Sequence, residues 1–476
     1  MEYEIVIGLE VHVELNTKTK MYCGCTADFG GQPNTHVCPV CMGLPGSLPH
    51  INKKVIEYAI KAGLALNCSI THMGRMDRKN YFYPDCPKNY QITQDELPIC
   101  RDGYIEVELE DGIKKRIGVE RLHVEEDAAK LLHTNAGTLV DFNRAGVPLA
   151  EIVSRPDIRS PEEAVAYLEM LKSILSCIGV SDCKMEEGSL RCDANISVME
   201  KGAKEFGVRT EIKNMNSFKA LEKALNYEYE RHVKAIESGE KLYVETRRWD
   251  DAKGITSVMR SKEQANDYRY FPEGDLVTLN ISDEWIENIR KTIPELPYEK
   301  KERFIEEFEI PKYDASVLTL TMSMADYFEK TAKLSGDAKA ASNWLMGDIS
   351  KIMKANYVWV EDLKFTPEQL SELIKLINAG TISNAIGKKV IVKMFETGES
   401  PKKIIEDEGL VQNSNEDEIL SVIKDVLSKN QKSIEDYKNG RTRVVGFLIG
   451  LVMKETKGKA NPKMVNKLMC DEIAKL

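Results

Sequence analysis

Residues 4–15 read EIVIGLEVHVEL. From Ile5 to Glu14 the residues alternate between two sets, which is the period of a strand and not of a helix. Ile5, Ile7, Leu9, Val11 and Val13 fall on one face, and Gly8, Glu10, His12 and Glu14 on the other. A sheet built on this strand buries the aliphatic face and presents two carboxylates and an imidazole on the second. Same-face neighbours stand about 7 Å apart along a strand, so their side chains can converge on one cation. Lone acids on a strand face are usually only solvated. A histidine between two of them, facing a cleft, is rarer.

Further β-like runs follow: YIEVELEDG, RIGVERLHVEED, LRCDANISVME and GVRTEIKN. Helical patterns at about Lys53–Leu66, Pro161–Ile178 and Ser217–Glu237 interrupt them. The strands are hairpin-like and do not alternate strictly with helices. This predicts an α+β fold whose first domain, residues 1–293, is a large mixed α/β domain with a mostly antiparallel sheet. The segment IPELPYEKK, with Pro294 and Pro297, marks a boundary. Helix patterns then dominate a second domain over residues 294–410: Tyr298–Phe308, Ala315–Leu334, Ala338–Asn356, Pro367–Ala379 and Asn384–Glu396. Thr366 before Pro367, with Gly380 beyond, caps one of these at both ends. A small, mainly helical tail domain occupies residues 411–476.

A chain of 476 residues exceeds one ordinary core, in keeping with several domains. The N-terminal stretch is apolar but carries acids and has no basic leader region, so it is not read as a signal peptide. The longest apolar run, Val444–Met453, is too short to span a bilayer. These features predict a cytoplasmic protein with no membrane segment. Eleven cysteines, an odd count, argue against a disulfide framework. The net charge of −10 argues against non-specific nucleic-acid binding by the whole surface. From Asn430 onward, however, ten Lys/Arg stand against five Asp/Glu. That basic tail is either a site for a polyanion or a solvated face.

Residues 77–94, DRKNYFYPDCPKNYQITQ, combine Arg78, Lys79 and Lys88 with four aromatics and two prolines. This predicts a stiff loop offering cations and aromatics to an anionic or planar ligand. Acid-rich strand segments add to the first strand's set. Glu125 and Asp127 share a face with His123, and Asp141, Asn143, Arg144, Glu151 and Arg155 follow. Glu187, Arg191, Asp193, Asn195, Glu211, Lys213 and Asn214 complete the series. Oxygen ligands with an occasional imidazole suit Mg2+, with ATP phosphates filling the remaining positions. The chain has no GxxxxGK[ST] loop and no protein-kinase motif set, so any use of ATP needs another fold.

Cys23-Gly-Cys25 and Cys38-Pro-Val-Cys41 form a CxC…CxxC arrangement that can close a tetrahedral structural Zn2+ site, with His36 as a spare ligand. The remaining cysteines are scattered and read as packing residues. His12-Val13-Glu14 followed by the Cys38–Cys41 pair also resembles the HxE…PCxxC pattern of zinc deaminases. Here the proline lies inside the pair, and Cys23 and Cys25 are left without a role.

The motifs IGLEVHVEL, CPVCMGLPGSLPHIN, DRKNYFYPDCPKNYQITQ, HVEEDAAKLLH, VDFNRAGVPLAEIVSRPDI, MEEGSLRCDANISV, EIKNMNSF, ETRRWD and DYRYFPEGDL occur in this order. With the tail segment DYKNGRTRVVGFLIGLVMKETKGKANP, they resemble the B subunits of the glutamine-dependent aspartyl/glutamyl-tRNA amidotransferases almost end to end. The resemblance implies a cradle-shaped catalytic domain, a helical domain and a tail domain. It implies a heterotrimer whose other members are the A subunit, which is a glutaminase that releases ammonia, and the small C subunit. The substrate it implies is a misacylated tRNA, Glu-tRNA(Gln) or Asp-tRNA(Asn). Its side-chain carboxylate is phosphorylated by ATP with Mg2+ and then amidated by channelled ammonia. Carried over by motif, Glu10, His12, Glu125 and Glu151 are expected Mg2+ ligands, with Asp193 and Glu211 at a second metal. Lys79, Lys88 and Arg155 are expected catalytic residues, the two lysines guiding ammonia or stabilising the acyl phosphate. Arg441, Arg443, Lys454, Lys457 and Lys459 are expected to hold the tRNA. Cys86 stands where the family has leucine, and the four-cysteine cluster occurs in only some members, which makes zinc structural. An alternative of another class is a tRNA-binding scaffold with a structural metal, which predicts no ATP hydrolysis stimulated by misacylated tRNA.

Overall fold

The computed structural model describes residues 2–109, 112–261, 267–410, 416–431, 433–434, 444–456, 460 and 462–475. They form two compact units, Met1–Leu296 and Pro297–Leu476. The architecture is α+β, with a large, mostly antiparallel sheet in the first unit and helices in the second.

Among the described residues nine strands make the main sheet. Tyr3–Glu14 is its middle strand, between Pro148–Ser154 and Leu190–Glu200. Beyond Pro148–Ser154 lie Lys114–Glu126, Cys100–Glu108 and Ser69–Ile70. Beyond Leu190–Glu200 lie Thr210–Met215, Glu245–Asp250 and Ile255–Ser261. All pairs are antiparallel except Thr210–Met215 with Glu245–Asp250. The helix Phe218–Ser238 makes the crossover that a parallel pair requires. The aliphatic face of the middle strand is sealed, with Ile7, Leu9, Val11 and Val13 wholly buried. Helices Lys53–Ala65, Pro161–Cys177 and Phe218–Ser238 cover this layer. Asn52, Ser160 and Ser217 start them, each side chain accepting a hydrogen bond from an otherwise unpaired N–H of the first turn.

The span 77–94 is more regular than a loop. Asp77–Asn80 and Tyr90–Thr93 pair with each other, and Phe271–Pro272 adds a third strand. That third strand is nearly two hundred residues distant in the chain, so nothing local announces it.

The Phe218–Ser238 helix is pinned to the sheet edge by ions. Glu228 is fully buried and accepts hydrogen bonds from Arg231 at 2.7 Å and from Thr256, with Arg247 at 3.2 Å. His232, one turn on, meets the Thr210 hydroxyl at 2.9 Å. Burial alone would raise the Glu228 pKa; hydrogen bonds from His232, Arg231 and Thr256 outweigh it and hold it at about 2. A depressed carboxylate stabilises the fold above its unfolded pKa and loses that effect as pH falls through the folded one. Glu228→Gln is therefore expected to cost roughly 3–5 kcal/mol near neutrality, because it strands buried cations. The gap to the parent chain should close between about pH 4.5 and 2. Urea midpoints across that range provide the check; equal midpoints at pH 7 would remove the assigned role.

In the second unit one apolar cluster runs from Phe304 to Ile405 and another from Ile419 to Ile473. The span expected as one helix, Ala315–Leu334, is two: Lys312–Leu318 and Met322–Ser335. The Thr319 hydroxyl donates back to the Ala315 carbonyl at 2.8 Å, and Thr321 caps the next helix through the Met324 N–H. Threonine chemistry stops one helix and starts another within three residues. The span Ala338–Asn356 is helical throughout but widens into a π turn at Leu345–Ile349. Among the described residues no helix is long and apolar enough to cross a membrane.

Candidate active site

The polar face of the middle strand meets polar faces on both sides because antiparallel partners share a face. His12 lies opposite Glu151 on one neighbour and Arg191 on the other. Glu10 lies opposite Asp193, and Glu151 lies opposite His123 on the next strand. The alternation of residues 4–15 is thus repeated across four strands.

His12, Glu125 and Glu151 converge. Their ligand atoms lie within 4.8 Å of one another. His12 Nε2 is 3.2 Å from Glu151 and 3.7 Å from Glu125. His123 adjoins the group, 3.7 Å from Glu151 and 3.8 Å from Glu125, with its Nδ1 buried and unpartnered. The Thr93 hydroxyl donates to Glu125 at 3.2 Å. Burial opposes charge throughout this group and is overcome. Glu125 is held below the usual carboxylate range chiefly by His123 and Lys79, and Glu151 by His123 and His12. His12 is pushed up by Glu151 and Glu125 despite burial. Lys79 stays protonated beside Glu125 and Glu151 although largely buried, with its ammonium 5.0 Å from the Tyr268 ring centre. Two carboxylates and an imidazole at this spacing form a metal-capable set of the type a hard divalent cation accepts.

Glu10 adjoins the group without joining it. Its carboxylate accepts from Asn195 at 2.8 Å, and burial and the Glu151 charge raise its pKa. Asp193 and Glu211 are brought to a lysine: the Lys213 ammonium contacts Asp193 and stands 2.8 Å from Glu211. The Thr246 hydroxyl donates to the other Glu211 oxygen at 2.6 Å. Further along, Arg191 donates to Asp127 at 2.6 Å while Arg144 stands 3.6 Å away. Burial and the Asp127 charge push Glu14 up to about 8.

The other expected residues separate. Lys88 bonds Glu126, on the opposite side of its strand from Glu125. It lines a cavity of about 220 Å³ with Tyr22, Cys41 and Tyr90. Arg155 is not brought to the carboxylates; it pairs with Asp102 at 2.6 Å, both largely exposed. Lys454 is exposed in the last turn of Val444–Glu455, whereas Arg441, Arg443, Lys457 and Lys459 lie outside the described residues. His123 was legible as a member of the polar face but not as a neighbour of the set. The signal for His123 is the spacing His123-x-Glu125, which repeats His12-x-Glu14.

The sulfurs of Cys23, Cys25, Cys38 and Cys41 also lie within 4.8 Å of one another. A hydrogen bond from Cys23 leads in holding the Cys41 thiol down at about 5, and the Lys20 ammonium, 3.7 Å away, adds to it. Burial pushes Cys25 up to about 11. Asn34 and Asn143 tie the loop between the two cysteine pairs to the segment around Asp141. His12 groups with carboxylates and Cys38 with cysteines, so the deaminase arrangement, one histidine with two cysteines, is not formed.

Two family models match the sequence. One, described as the GatB/GatE catalytic domain, covers residues 5–287; the other, described as a GatB domain, covers residues 326–473. The chain is 85% identical over 475 residues to the first of the aspartyl/glutamyl-tRNA(Asn/Gln) amidotransferase B subunits of Clostridium acetobutylicum, covering the whole of both chains. It is 74% identical over 476 residues to the B subunit of the same amidotransferase from Clostridium botulinum strain Langeland, again over both full lengths.

Proposed function

Because the chain belongs to the GatB family of aspartyl/glutamyl-tRNA amidotransferase B subunits, we propose that its sheet face activates the side-chain carboxylate of misacylated Glu-tRNA(Gln), Asp-tRNA(Asn) or both, at the expense of ATP. It is one subunit of a tRNA-dependent amidotransferase. A free carboxylate is a poor acyl donor because its leaving group is an oxide. Transfer of a phosphoryl group to it supplies a good leaving group, which ammonia then displaces to give the amide.

His12, Glu125 and Glu151 are the residues that would hold Mg2+, with Glu10 beside them. When bound, the ion supplies positive charge against the nucleotide's phosphates. The two neighbouring carboxylates favour the protonated form of His12, which must be neutral to serve as a ligand. Lys79, anchored over Glu125 and Glu151, puts a fixed cation where anionic charge develops during phosphoryl and acyl transfer. Lys88, at the wall of the cavity, suits the passage of ammonia supplied by the glutaminase. The four cysteines would hold Zn2+ as a structural clamp. The A and C subunits complete the heterotrimer, and the basic tail, residues 411–476 with Arg441, Arg443, Lys454, Lys457 and Lys459, holds the tRNA. Residues 1–293 are then the catalytic domain and residues 294–410 the helical domain.

The convergence of His12, Glu125 and Glu151 on one point carries this reading. Its test is reconstitution with the A and C subunits, supplied with glutamine and each misacylated tRNA. Conversion to Gln-tRNA or Asn-tRNA should require ATP and magnesium and release ADP in step with product. Conversion without nucleotide hydrolysis would overturn the reading.

A further inference from the structure

We propose that Lys20 is the charge partner of the four-cysteine site: its buried ammonium offsets the negative charge that the thiolates keep around a zinc ion, and so sets how tightly the ion is held. The inference rests on the reading of Cys23, Cys25, Cys38 and Cys41 as zinc ligands. Lys20 is wholly buried, a state lysine almost never reaches unless paired. Its ammonium donates to the His36 carbonyl at 2.7 Å, to the Phe142 carbonyl at 3.3 Å and to Cys41 Sγ at 3.7 Å. An ammonium has three N–H donors, so these partners engage all of them. None is a carboxylate. Glu126, which lines the same cavity as Lys20, is taken by Lys88. Lys300, the other buried lysine among the described residues, follows the usual rule and pairs with Asp326 at 2.5 Å.

A cation buried among neutral carbonyls alone is strongly disfavoured, and an anion beside it removes most of that penalty. Cys41 is the one partner of Lys20 that can become such an anion. Thiolates are also what a zinc site requires. Four of them around a divalent cation leave two negative charges in excess, and one ammonium against a sulfur removes one of the two. The backbone places the lysine between both cysteine pairs. Its N–H donates to the Cys25 carbonyl at 2.9 Å, and Thr19 bridges to Thr26 around the first pair. The His36 carbonyl that its side chain holds lies two residues before Cys38, where the second pair begins. Lys20 thus joins the two halves of the site from inside and carries the charge opposite to both. It acts through Cys41, as a positioning residue and not as a ligand.

The test uses the full chain, with zinc affinity measured by competition against a chromophoric chelator. Lys20→Met should weaken zinc binding by about 10- to 100-fold, the usual loss when a group that hydrogen-bonds a metal ligand is removed. Lys20→Gln keeps N–H donors without the charge and should lose as much. Lys20→Arg keeps the charge and should recover most of the affinity, the adjoining cavity of about 220 Å³ giving the larger head room. With Co2+ in place of zinc, the sulfur-to-metal charge-transfer band should move to longer wavelength in Lys20→Met and Lys20→Gln, because a sulfur without its cationic donor gives up an electron more readily. Zinc affinity within twofold of wild type in both uncharged variants would overturn the proposal. So would full recovery by Lys20→Gln, which would make the lysine a hydrogen-bonded tie and nothing more. A wild-type chain that binds no zinc would overturn the zinc reading itself, whereas zinc held equally by all the variants overturns the assignment of Lys20 alone.

Discussion

Glu151→Gln is expected to lower amidation of misacylated tRNA by about 10²- to 10³-fold in the assembled enzyme, the loss typical of removing one preorganised electrostatic group. Glutamine hydrolysis by the partner glutaminase should survive. Glu151 is the hub of the cluster, 3.2 Å from His12 and 3.7 Å from His123. Glutamine keeps its shape and removes its charge. Two histidines then compete for one remaining carboxylate, Glu125, and the metal-capable set loses half its negative charge. Mn2+ affinity should fall together with activity, which separates this outcome from misfolding. Conversion within threefold of wild type would sink the ligand assignment.

Cys38→Ser is expected to abolish the zinc content of the purified chain and to lower its thermal midpoint by about 10 °C. Stabilisation by a structural zinc reaches about 10 kcal/mol or more in isolated modules. In a unit of this size, a few kcal/mol lost correspond to roughly that shift. Metal analysis and calorimetry provide the readouts. The pH dependence has a definite sign. Cys41 is held down at about 5, whereas Cys25 is pushed up to about 11 and Cys23 is raised further by its hydrogen bond to Cys41 and by burial. Zinc uptake by the metal-free protein at pH 7 should therefore release about two or more protons, and affinity should weaken as pH falls. Folded Cys38→Ser protein should keep amidation within about threefold, because the cysteines are grouped apart from His12, Glu125 and Glu151. Retained zinc, or an unchanged midpoint, would contradict the clamp.

Much of this site could be read from residues 4–15, because strand alternation determines side-chain direction without help from distant contacts. Glu10, His12, Arg191, Asp193 and Asn195 all lie on the face that alternation assigns them. Long-range pairing was not legible. Asp77–Asn80 and Tyr90–Thr93 become strands partly through Phe271–Pro272, which no local pattern connects to them. Thr210–Met215 and Glu245–Asp250 are parallel, although the runs look like hairpin strands, because a helix intervenes. Asp193, Glu211 and Lys213 were each visible in the sequence, but the contact of the lysine with both acids depends on the pairing of two strands and was not. Arg155 follows a strand that supplies Glu151, yet the ladder shifts register between Val153 and Ser154, and the guanidinium turns to Asp102.

The middle position of Tyr3–Glu14 has a consequence for biosynthesis. Both flanking strands are encoded far downstream, and the later of them begins at Leu190. At ribosomal speeds of about 5–20 residues per second, this β-prone, apolar segment waits on the order of ten seconds or more for its second neighbour. Until then it has open backbone edges on a nascent chain, the state most exposed to unwanted association. Slower codons after residue 200 would give the ladder time to zip before the helical half emerges, whereas slower codons before residue 148 would only lengthen the wait.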